Sequence, residues 1–457
     1  MDQHAINTAL NTARMSATTL PPNAQALAHI FAVQPRWVGV LSARAALGLP
    51  DHVLLHAGPP LADPRHPPPP MRNAALLACV HEGWAGDIAA AERLFDSGAV
   101  KLESGLAHRV SMPLVALVGA RSTLAVIDAG GDARGGDAQG DSAGDGGTDA
   151  GCNSGGNDGG TARWYSFLGT GGGAQLRFGA RDGAILERLA FRESTLLPGL
   201  RALLAHGPID LLSIARSALT EGDDLHNRLS SATLLLHAVL ASRKSGAGTA
   251  VAASMDASAD AVNVQAALTT VHEAPLYFLN LWMPACALML DAAAGTAGSS
   301  IVTRMAANGE VCGIQVAGLP GRWFTAPAAL VRGPFMKGAP ADPQFPPATG
   351  DSGIIDAFGL GGQVLRRAPS LQSAFAPWLA PDDDARALAL LAGMHPVLGV
   401  AAGLDAAAVA TSGRAPLLST GMVSADGRGL LGRGVCEMPL APFVSALAAL
   451  QSGAAKG

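Results

Sequence analysis

Apolar residues recur at helical spacing along several stretches of the chain. Between Leu225 and Ala241 they return at every third or fourth position, which predicts an amphipathic helix. The same pattern predicts helices at 24–32, 73–83, 88–95, 185–193, 198–206, 211–219, 385–392 and 442–450. In the first third of the chain, short strand-like runs alternate with these helices, which favours an α/β layer.

Short runs of branched and aromatic residues predict the strands. They fall at 53–55, 113–118, 122–127, 164–167, 300–305, 312–316 and 323–326. Glycines at 169–173 separate the strand 164–167 from 175–178 and predict a β-hairpin there. The most apolar window, 274–290, contains Asn280 and two prolines, so a buried helix is favoured over a membrane span.

A chain of 457 residues is too long for a single core. We therefore predict a multi-domain protein of mixed α+β and α/β class, with an N-terminal α/β domain, a mainly helical middle and a C-terminal α+β domain. The predicted units are a loose N-terminus at 1–23, an α/β domain at 24–128, a disordered Gly/Asp-rich insertion at 129–160, a hairpin at 161–182 that completes the first domain, a helical domain at 183–296 with a loop at 244–260, and an α+β domain with glycine loops at 297–457.

Composition indicates which partners the protein binds and in which cellular compartment it works. The net charge is only −5 and the chain has no basic block, which argues against nucleic-acid binding. The five cysteines are far apart without C-x-x-C spacing, as in a reducing compartment. The chain shows no signal-peptide pattern, so we expect a cytoplasmic protein that does not enter a membrane.

Glycine-rich loops are the first candidates for ligand binding. Gly350, Asp351 and Ser352 lie in a loop without bulky neighbours, and such turns expose backbone N–H groups that hold anions. Trp323, Phe324 and Thr325, in GRWFTAP (321–327), are predicted to form one wall of the same pocket, and Thr420 opens another Thr-Gly loop.

A second polar cluster lies between two predicted helices. Asp223 and Asp224 are candidate caps for the second helix, which then opens with His226 and Arg228. An arginine beside a helix start suits a phosphate or carboxylate, although a plain capped helix start has the same pattern.

Isolated polar residues complete the set. His56 follows a strand, and Glu82 is a candidate acid/base or substrate-positioning residue. Asn280 belongs either to a buried polar network or to a ligand site. Thr303 and Asn308 lie in a strand that leads into an Asn-Gly turn, which favours a structural role, and both are also candidates to point at a ligand. Glu82 is not part of an H-E-x-x-H motif, and we predict neither a metal nor a cofactor.

Motifs from about residue 36 to 450 resemble the YlbE-like family, to which the AllG component of oxamate carbamoyltransferase belongs. The matching segments are LLHAGPP (54–60), ACVHEGWA (78–85), RFG (177–179), GDDLHNR (222–228), FLNL (278–281), SSIVTRMAANGE (299–310), GIQVAGLPGRWFTAP (313–327), GDSGIIDAFGLGG (350–362), AAGLDAAAV (401–409) and PLLSTG (416–421).

The resemblance implies a subunit of a carbamoyltransferase of allantoin breakdown, in which oxalurate and phosphate give oxamate and carbamoyl phosphate. It also implies an FdrA-like partner resembling acyl-CoA synthetases, and it leaves a third subunit and a homo-oligomer open. Such transfer needs donors that hold anions and clamp a carbonyl oxygen, a role that His56, His226, Arg228 and Arg322 suit.

The chain also departs from the family pattern. Gly169 and Thr170 replace an Asn-Glu pair, Ser424 and Ala425 replace a His-Lys pair, and Leu229 replaces an Asn. Loss of an acid, a His and a Lys implies an altered substrate or weakened catalysis. A degenerate, non-catalytic subunit that binds a ligand or supports an FdrA-like partner is therefore the alternative, and a hydrolase of a ureido compound is a third reading.

Overall fold

A computed structural model describes residues 20–130, 162–246 and 257–454. Most of the predicted N-terminal lead-in, nearly all of the Gly/Asp-rich insertion and the middle of the predicted loop 244–260 lie outside these residues. The mixed helix and strand content predicted from the sequence is confirmed.

Helices account for more of the described residues than strands do. They are α1 (Pro22–Ala32), α2 (Ala43–Leu47), α3 (Pro69–Glu82), α4 (Ile88–Asp96), α5 (Ala184–Phe191), α6 (Leu197–Leu204), α7 (Leu211–Thr220), α8 (Ser230–Gly246), α9 (Ala257–His272), α10 (Leu279–Asp291), α11 (Gly353–Phe358), α12 (Pro369–Phe375), α13 (Asp383–Leu390), α14 (Ala406–Ser412) and α15 (Ala441–Ala454). None of these described helices is long and apolar enough to cross a membrane.

Strands form several small sheets. They are β1 (Arg36–Ser42), β2 (Val53–His56), β3 (Lys101–Ser104), β4 (Val110–Ser111), β5 (Leu117–Val118), β6 (Thr123–Asp128), β7 (Arg163–Phe167), β8 (Ile209–Asp210), β9 (Val302–Asn308), β10 (Val311–Val316), β11 (Leu319–Pro327), β12 (Thr349–Gly350), β13 (Leu391–Met394), β14 (Ala401–Leu404), β15 (Leu417–Val423) and β16 (Leu430–Glu437).

The N-terminal half contains two sheets. A five-stranded sheet has the order β4-β7-β6-β1-β8, in which β6 pairs antiparallel with both β1 and β7. A three-stranded sheet has the order β3-β2-β5, with β2 and β3 parallel. Parallel pairing requires a crossover, and α3 and α4 lie between these two strands in the chain.

The C-terminal half contains antiparallel sheets. A four-stranded sheet has the order β11-β10-β9-β12, and the Asn308-Gly309 turn joins β9 to β10 as predicted. Strands β15 and β16 form a long hairpin with Leu417 opposite Glu437.

Several sequence predictions of elements need correction. The segment 175–178 does not pair with β7; Leu176–Phe178 is a 3-10 turn, and β7 pairs instead with β4 and β6. Helix α3 begins at Pro69 rather than at residue 73, and Pro69 and Pro70 occupy its first turn, where proline is tolerated. Helix α8 begins at Ser230 rather than Leu225.

Helix α10 lies at the centre of the largest apolar core. It is buried on every side, as a helix without a polar face must be. That core also includes Trp37 from β1, Leu200 from α6 and Ile354 from α11, so the N-terminal, middle and C-terminal regions pack against one another. The domain boundaries drawn from the sequence stay a prediction.

Candidate functional site

Two adjoining cavities lie where loops from all three regions meet. The inner cavity has a volume of about 60 Å³, and its polar lining residues are Arg177, His226, Asn227, Ser352, Thr420 and Arg433. The outer cavity has a volume of about 710 Å³ and includes Gly169, Gln175, Tyr277 and Asn280 in its wall. Arg177, Phe178, Leu276 and Leu430 line both cavities.

Arg177 is the dominant charge of the inner cavity. Its residue is 8% exposed, and its guanidinium stacks over the ring of Phe178 at 4.9 Å. Among the described residues, no carboxylate pairs with this guanidinium and its Nε has no hydrogen-bond partner. Burial, together with the positive charge of Arg433, lowers the pKa of Arg177 to about 10, which leaves it charged at neutral pH. Burying a cation without a counterion costs free energy, so a bound anion would stabilise Arg177.

The 3-10 turn that carries Arg177 is held from both sides. The backbone N–H of Val115 donates to the carbonyl of Arg177 at 3.2 Å, and Nδ2 of Asn73 on α3 donates to the carbonyl of Gly179 at 3.1 Å. Gly179 ends the turn with a left-handed φ of 61° and lies against Pro70. The backbone of this turn is therefore held in place by Val115 and by α3.

Arg433 and His226 add further positive charge. Arg433 projects from β16 and donates to the carbonyl of Asn227 at 2.9 Å, with part of its side chain in solvent. His226 is 5% exposed, and its Nδ1 lies 3.1 Å from Oδ2 of Asp356. Burial lowers the pKa of His226, but the charges of Asp356 and Asp224 outweigh burial and raise it above its ordinary value. With Nδ1 at Asp356, Nε2 is the nitrogen left to donate to a ligand.

Asp356 joins three loops behind the cavity. Besides His226, its carboxylate accepts from the backbone N–H of Gly362 at 2.7 Å and of Ser419 at 3.0 Å. A carboxylate that accepts several backbone donors is fixed in place. Asp356 therefore orients His226 rather than meeting a ligand.

The loop 222–229 is braced by its own two acids. Asp224 accepts from the backbone N–H groups of His226 and Arg228, and Asp223 accepts from the N–H of Ala232 in the first turn of α8. Burial raises the pKa of both carboxyl groups. Arg228 donates to the carbonyl of Gly222 at 3.0 Å and is partly exposed. It lies beside Asn227 and Arg433, outside the inner cavity.

The loop 350–352 contributes differently from the sequence expectation. Ser352 lines the inner cavity, but Asp351 accepts from the backbone N–H groups of Gly58 at 2.6 Å and Met112 at 2.8 Å. Burial raises the pKa of Asp351 to about 7, and the two backbone donors oppose that rise. Gly350, with φ 108°, lies against the backbone of Leu114, where a side chain would collide. Asp351 and Gly350 thus hold the cavity wall together.

His56 and Glu82 do not line either cavity. Nδ1 of His56 lies 2.8 Å from the carbonyl of Ala57, and burial lowers the pKa of this ring to about 4, so it is neutral. Both oxygens of Glu82 accept from the backbone N–H of Arg121. Each side chain satisfies a local backbone group, which is a structural role.

The predicted residues of the four-stranded sheet also lie outside the cavities. Thr303 is buried in β9. Nδ2 of Asn308 donates to the carbonyl of Pro59, and Oδ1 of Asn308 accepts from the backbone N–H groups of Glu310 and Val311 at the β9–β10 turn. Arg322 and Thr325 are exposed on β11, an edge strand of that sheet. These two side chains therefore face solvent and not the cleft.

The structure therefore brings together only part of the predicted set. His226, Ser352 and Thr420 line the inner cavity, Asn280 lines the outer one, and Arg228 borders them. Sequence reasoning missed Arg177, Arg433, Asn227 and Gln175. For Arg177 a signal existed, because RFG (177–179) is one of the motifs shared with the YlbE-like family.

The arrangement suits a small anion with hydrogen-bonding capacity. Two guanidinium groups, an imidazole and the hydroxyl of Ser352 converge on a space that admits only a compact group. Among the described residues, no group of three His, Cys, Asp or Glu side chains is placed to hold a metal ion.

Comparisons with known proteins agree with the motifs. The family model for the oxamate carbamoyltransferase subunit AllG matches residues 156–352. The chain is 30% identical to the oxamate carbamoyltransferase subunit AllG of Escherichia coli (strain K12) over 95% of this chain and 98% of that protein. It is 28% identical to the uncharacterized protein YahG of the same organism, over 93% and 84% of the two chains.

A solved structure has the same fold. The crystal structure of a conserved protein of unknown function from Enterococcus faecalis V583 superposes with a TM-score of 0.79 at 26% identity, covering 94% of this chain and 97% of that one. With the match along nearly the whole length of the AllG subunit, this chain belongs to the AllG family.

Proposed function

We propose that this chain is a subunit of a carbamoyltransferase of the oxamate type and that its cleft binds the small anionic substrate or phosphate. The single observation that supports this best is Arg177, a buried guanidinium that faces a cavity and pairs with no carboxylate of the described chain. Burying an unpaired charge is costly, so this guanidinium supports a ligand that supplies the counter-charge.

The proposed reaction joins a carbamoyl group to an amide nitrogen. The oxamate nitrogen attacks the carbonyl carbon of carbamoyl phosphate, a C–N bond forms, the C–O bond to phosphate breaks, and the nitrogen loses a proton. Phosphate leaves with the electron pair of the broken bond, and oxalurate is the product. The reverse direction gives carbamoyl phosphate from oxalurate and phosphate.

The chemistry assigns roles to the cleft residues. Arg177 and Arg433 hold a carboxylate or phosphate by charge-assisted hydrogen bonds. Protonated His226, oriented by Asp356, donates to an oxygen that gains negative charge as the nitrogen attacks. Ser352 supplies a neutral hydroxyl donor to the same space.

The finer features of the assembly are also proposals. The name of the Escherichia coli relative describes a subunit, which supports a multi-component enzyme. We propose an FdrA-like partner, a role in allantoin or related ureido-acid breakdown, and the cytoplasm as the location.

The assembled enzyme provides the test. The chain is combined with an FdrA-like subunit and assayed for carbamoyl phosphate formation from oxalurate and phosphate. Arg177→Met is expected to lower kcat/KM at least about 30-fold, because truncating one side of a buried charge pair costs about 2–5 kcal/mol. Arg322→Met, which removes an exposed arginine outside the cleft, is the matched control and is expected to match the wild type.

A degenerate subunit remains the second candidate because Gly169, Thr170, Ser424 and Ala425 replace polar residues of the family pattern. This candidate predicts that Arg177→Met leaves turnover by the assembled enzyme unchanged. That result would refute the catalytic cleft and favour a scaffold.

A further inference from the structure

Two side-chain amides in the wall of the outer cavity have a carbonyl oxygen that lacks a hydrogen-bond donor. Asn280 is 2% exposed and Gln175 is 4% exposed, and both line this cavity. Within the described chain, Oδ1 of Asn280 and Oε1 of Gln175 accept no hydrogen bond. Leaving a buried carbonyl oxygen without a hydrogen-bond donor costs free energy. Each of these oxygens would therefore be stabilised by an N–H group of a ligand.

The orientation of both amides is set by their other atom. Nδ2 of Asn280 donates to the carbonyl of Tyr277 at 2.8 Å, and Nε2 of Gln175 donates to the carbonyl of Gly171. A carbonyl can only accept, so the nitrogen must face it and the oxygen must face the other way. Both unpartnered atoms are therefore acceptors, and neither amide can turn to satisfy itself.

The two amides border one small space at Gly169. A methyl group on Gly169 would stand 3.4 Å from the amide of Asn280 and 3.5 Å from Oε1 of Gln175. The hydroxyl of Tyr277, 1% exposed, is also without a partner among the described residues and belongs to the same wall. Acceptors concentrated at one place favour a ligand group with more than one N–H.

An amide oxygen repels an anion, so this part of the cavity differs in chemistry from the part at Arg177. Arg177 lines both cavities and provides the positive end. The wall thus offers a cation at one end and N–H acceptors at the other. A ligand that carries a carboxylate and a primary amide fits this polarity.

We propose that the outer cavity recognises the N–H₂ group of a primary carboxamide or carbamoyl ligand through the carbonyl oxygens of Asn280 and Gln175, while Arg177 holds its acid group. The inference rests on the proposed function for the anion end and adds the amide end. It assigns Asn280 the role of an N–H acceptor and not of an anion ligand.

Oxamate and pyruvate separate the two ends. They share the carboxylate and the adjacent carbonyl, and they differ in an N–H₂ group against a methyl group of similar size. We expect the full-length chain to bind oxamate at least about tenfold more tightly than pyruvate, measured by isothermal titration, since a site built for a hydrogen bond rejects the analogue that lacks it.

Variants locate the preference. Asn280→Leu and Gln175→Met remove the acceptors at similar volume, and each is expected to weaken oxamate binding about tenfold while leaving pyruvate binding unchanged. If either variant fails to fold, Gly169→Ala replaces it, because its methyl group meets both amides at ordinary contact distance and fills the space between them.

The outcomes distinguish the two proposals. Equal affinity of the wild type for both ligands, or tighter binding of pyruvate, overturns the carboxamide subsite and leaves the anion site standing. Equal loss of both ligands in Asn280→Leu also overturns it, since a general collapse of the cavity would explain that result. Binding of neither ligand by the wild type counts against the proposed function and removes this inference with it.

Discussion

Two buried arginines of this chain differ in what they do for the fold. Arg192 is fully buried and its guanidinium lies 3.0 Å from Glu193, whereas Arg177 has no such partner in the described chain. Burial without a counterion costs folding free energy, which a ligand can recover only when it binds. Under the proposed function, Arg177 lowers the stability of the free protein and regains that free energy when the anion binds.

The contrast yields a stability prediction. Arg177→Met removes an unpaired buried charge, so the free energy of unfolding should stay the same or rise. Arg192→Met leaves Glu193 with His81 as its remaining partner and should lower it by about 1–3 kcal/mol. Urea denaturation of both variants provides the measurement. A large loss of stability in Arg177→Met would mean that this guanidinium is structural.

At the residue scale, sequence reasoning found polar clusters and could not rank their members. The density of polar residues in the loop 222–228 predicts a ligand site, and His226 of this loop does line the inner cavity. The glycine-rich pattern around Asp351 predicts an anion-binding loop, yet its carboxylate accepts from the N–H groups of Gly58 and Met112, which are remote in sequence. Which acid meets a ligand depends on such long-range donors, and a single sequence does not contain them.

At the scale of elements, the position of Arg177 depends on the contact between its 3-10 turn and α3. An added Cβ at Gly179 would lie 2.6 Å from the carbonyl oxygen of Pro70, and the φ of 61° disfavours any side chain. Gly179 is thus a point where the turn and the helix meet without room for a methyl group.

Gly179→Ala is expected to destabilise the protein by about 2 kcal/mol or more, from overpacking and left-handed backbone strain. It should also weaken anion binding, because the turn that carries Arg177 must move. Gly183→Ala is the matched control: φ is −60° and an added Cβ meets nothing within 4 Å. Thermal melts and oxamate titrations of both variants test this; equal behaviour of the two would refute the close contact.

Helices were easier to predict than strand pairing. The apolar repeat of α7 and the capping oxygen of Asp210 are local features, and the predicted range 211–219 matches Leu211–Thr220 closely. The pairing of 164–167 was misassigned because a glycine turn suggested a local hairpin, whereas β7 pairs with β6 across the segment 131–161. Local turn signals cannot reveal a partner on the far side of a long insertion.

At the scale of the whole molecule, the cleft exists only because distant segments pack together. Arg177 follows β7, His226 precedes α8, Ser352 precedes α11 and Arg433 lies in β16. The largest core, centred on α10, holds these regions in place. The mixed fold class could be predicted from composition and periodicity, but the place where these four segments meet could not.

Family membership is also a property of the whole chain. The AllG match spans nearly the entire chain, and the solved relative from Enterococcus faecalis shares the fold at a TM-score of 0.79. These comparisons assign the family and leave the ligand of this cleft to be established by binding.

The most direct test is the affinity of the full-length chain for oxamate across about pH 6 to 9, in the wild type and in Arg177→Met. We predict measurable binding by the wild type that weakens as pH rises through the raised pKa of His226, because the protonated ring is a donor to the anion. Arg177→Met should show no binding at any pH in this range. Wild-type affinity in Arg177→Met, at any pH, would contradict the account.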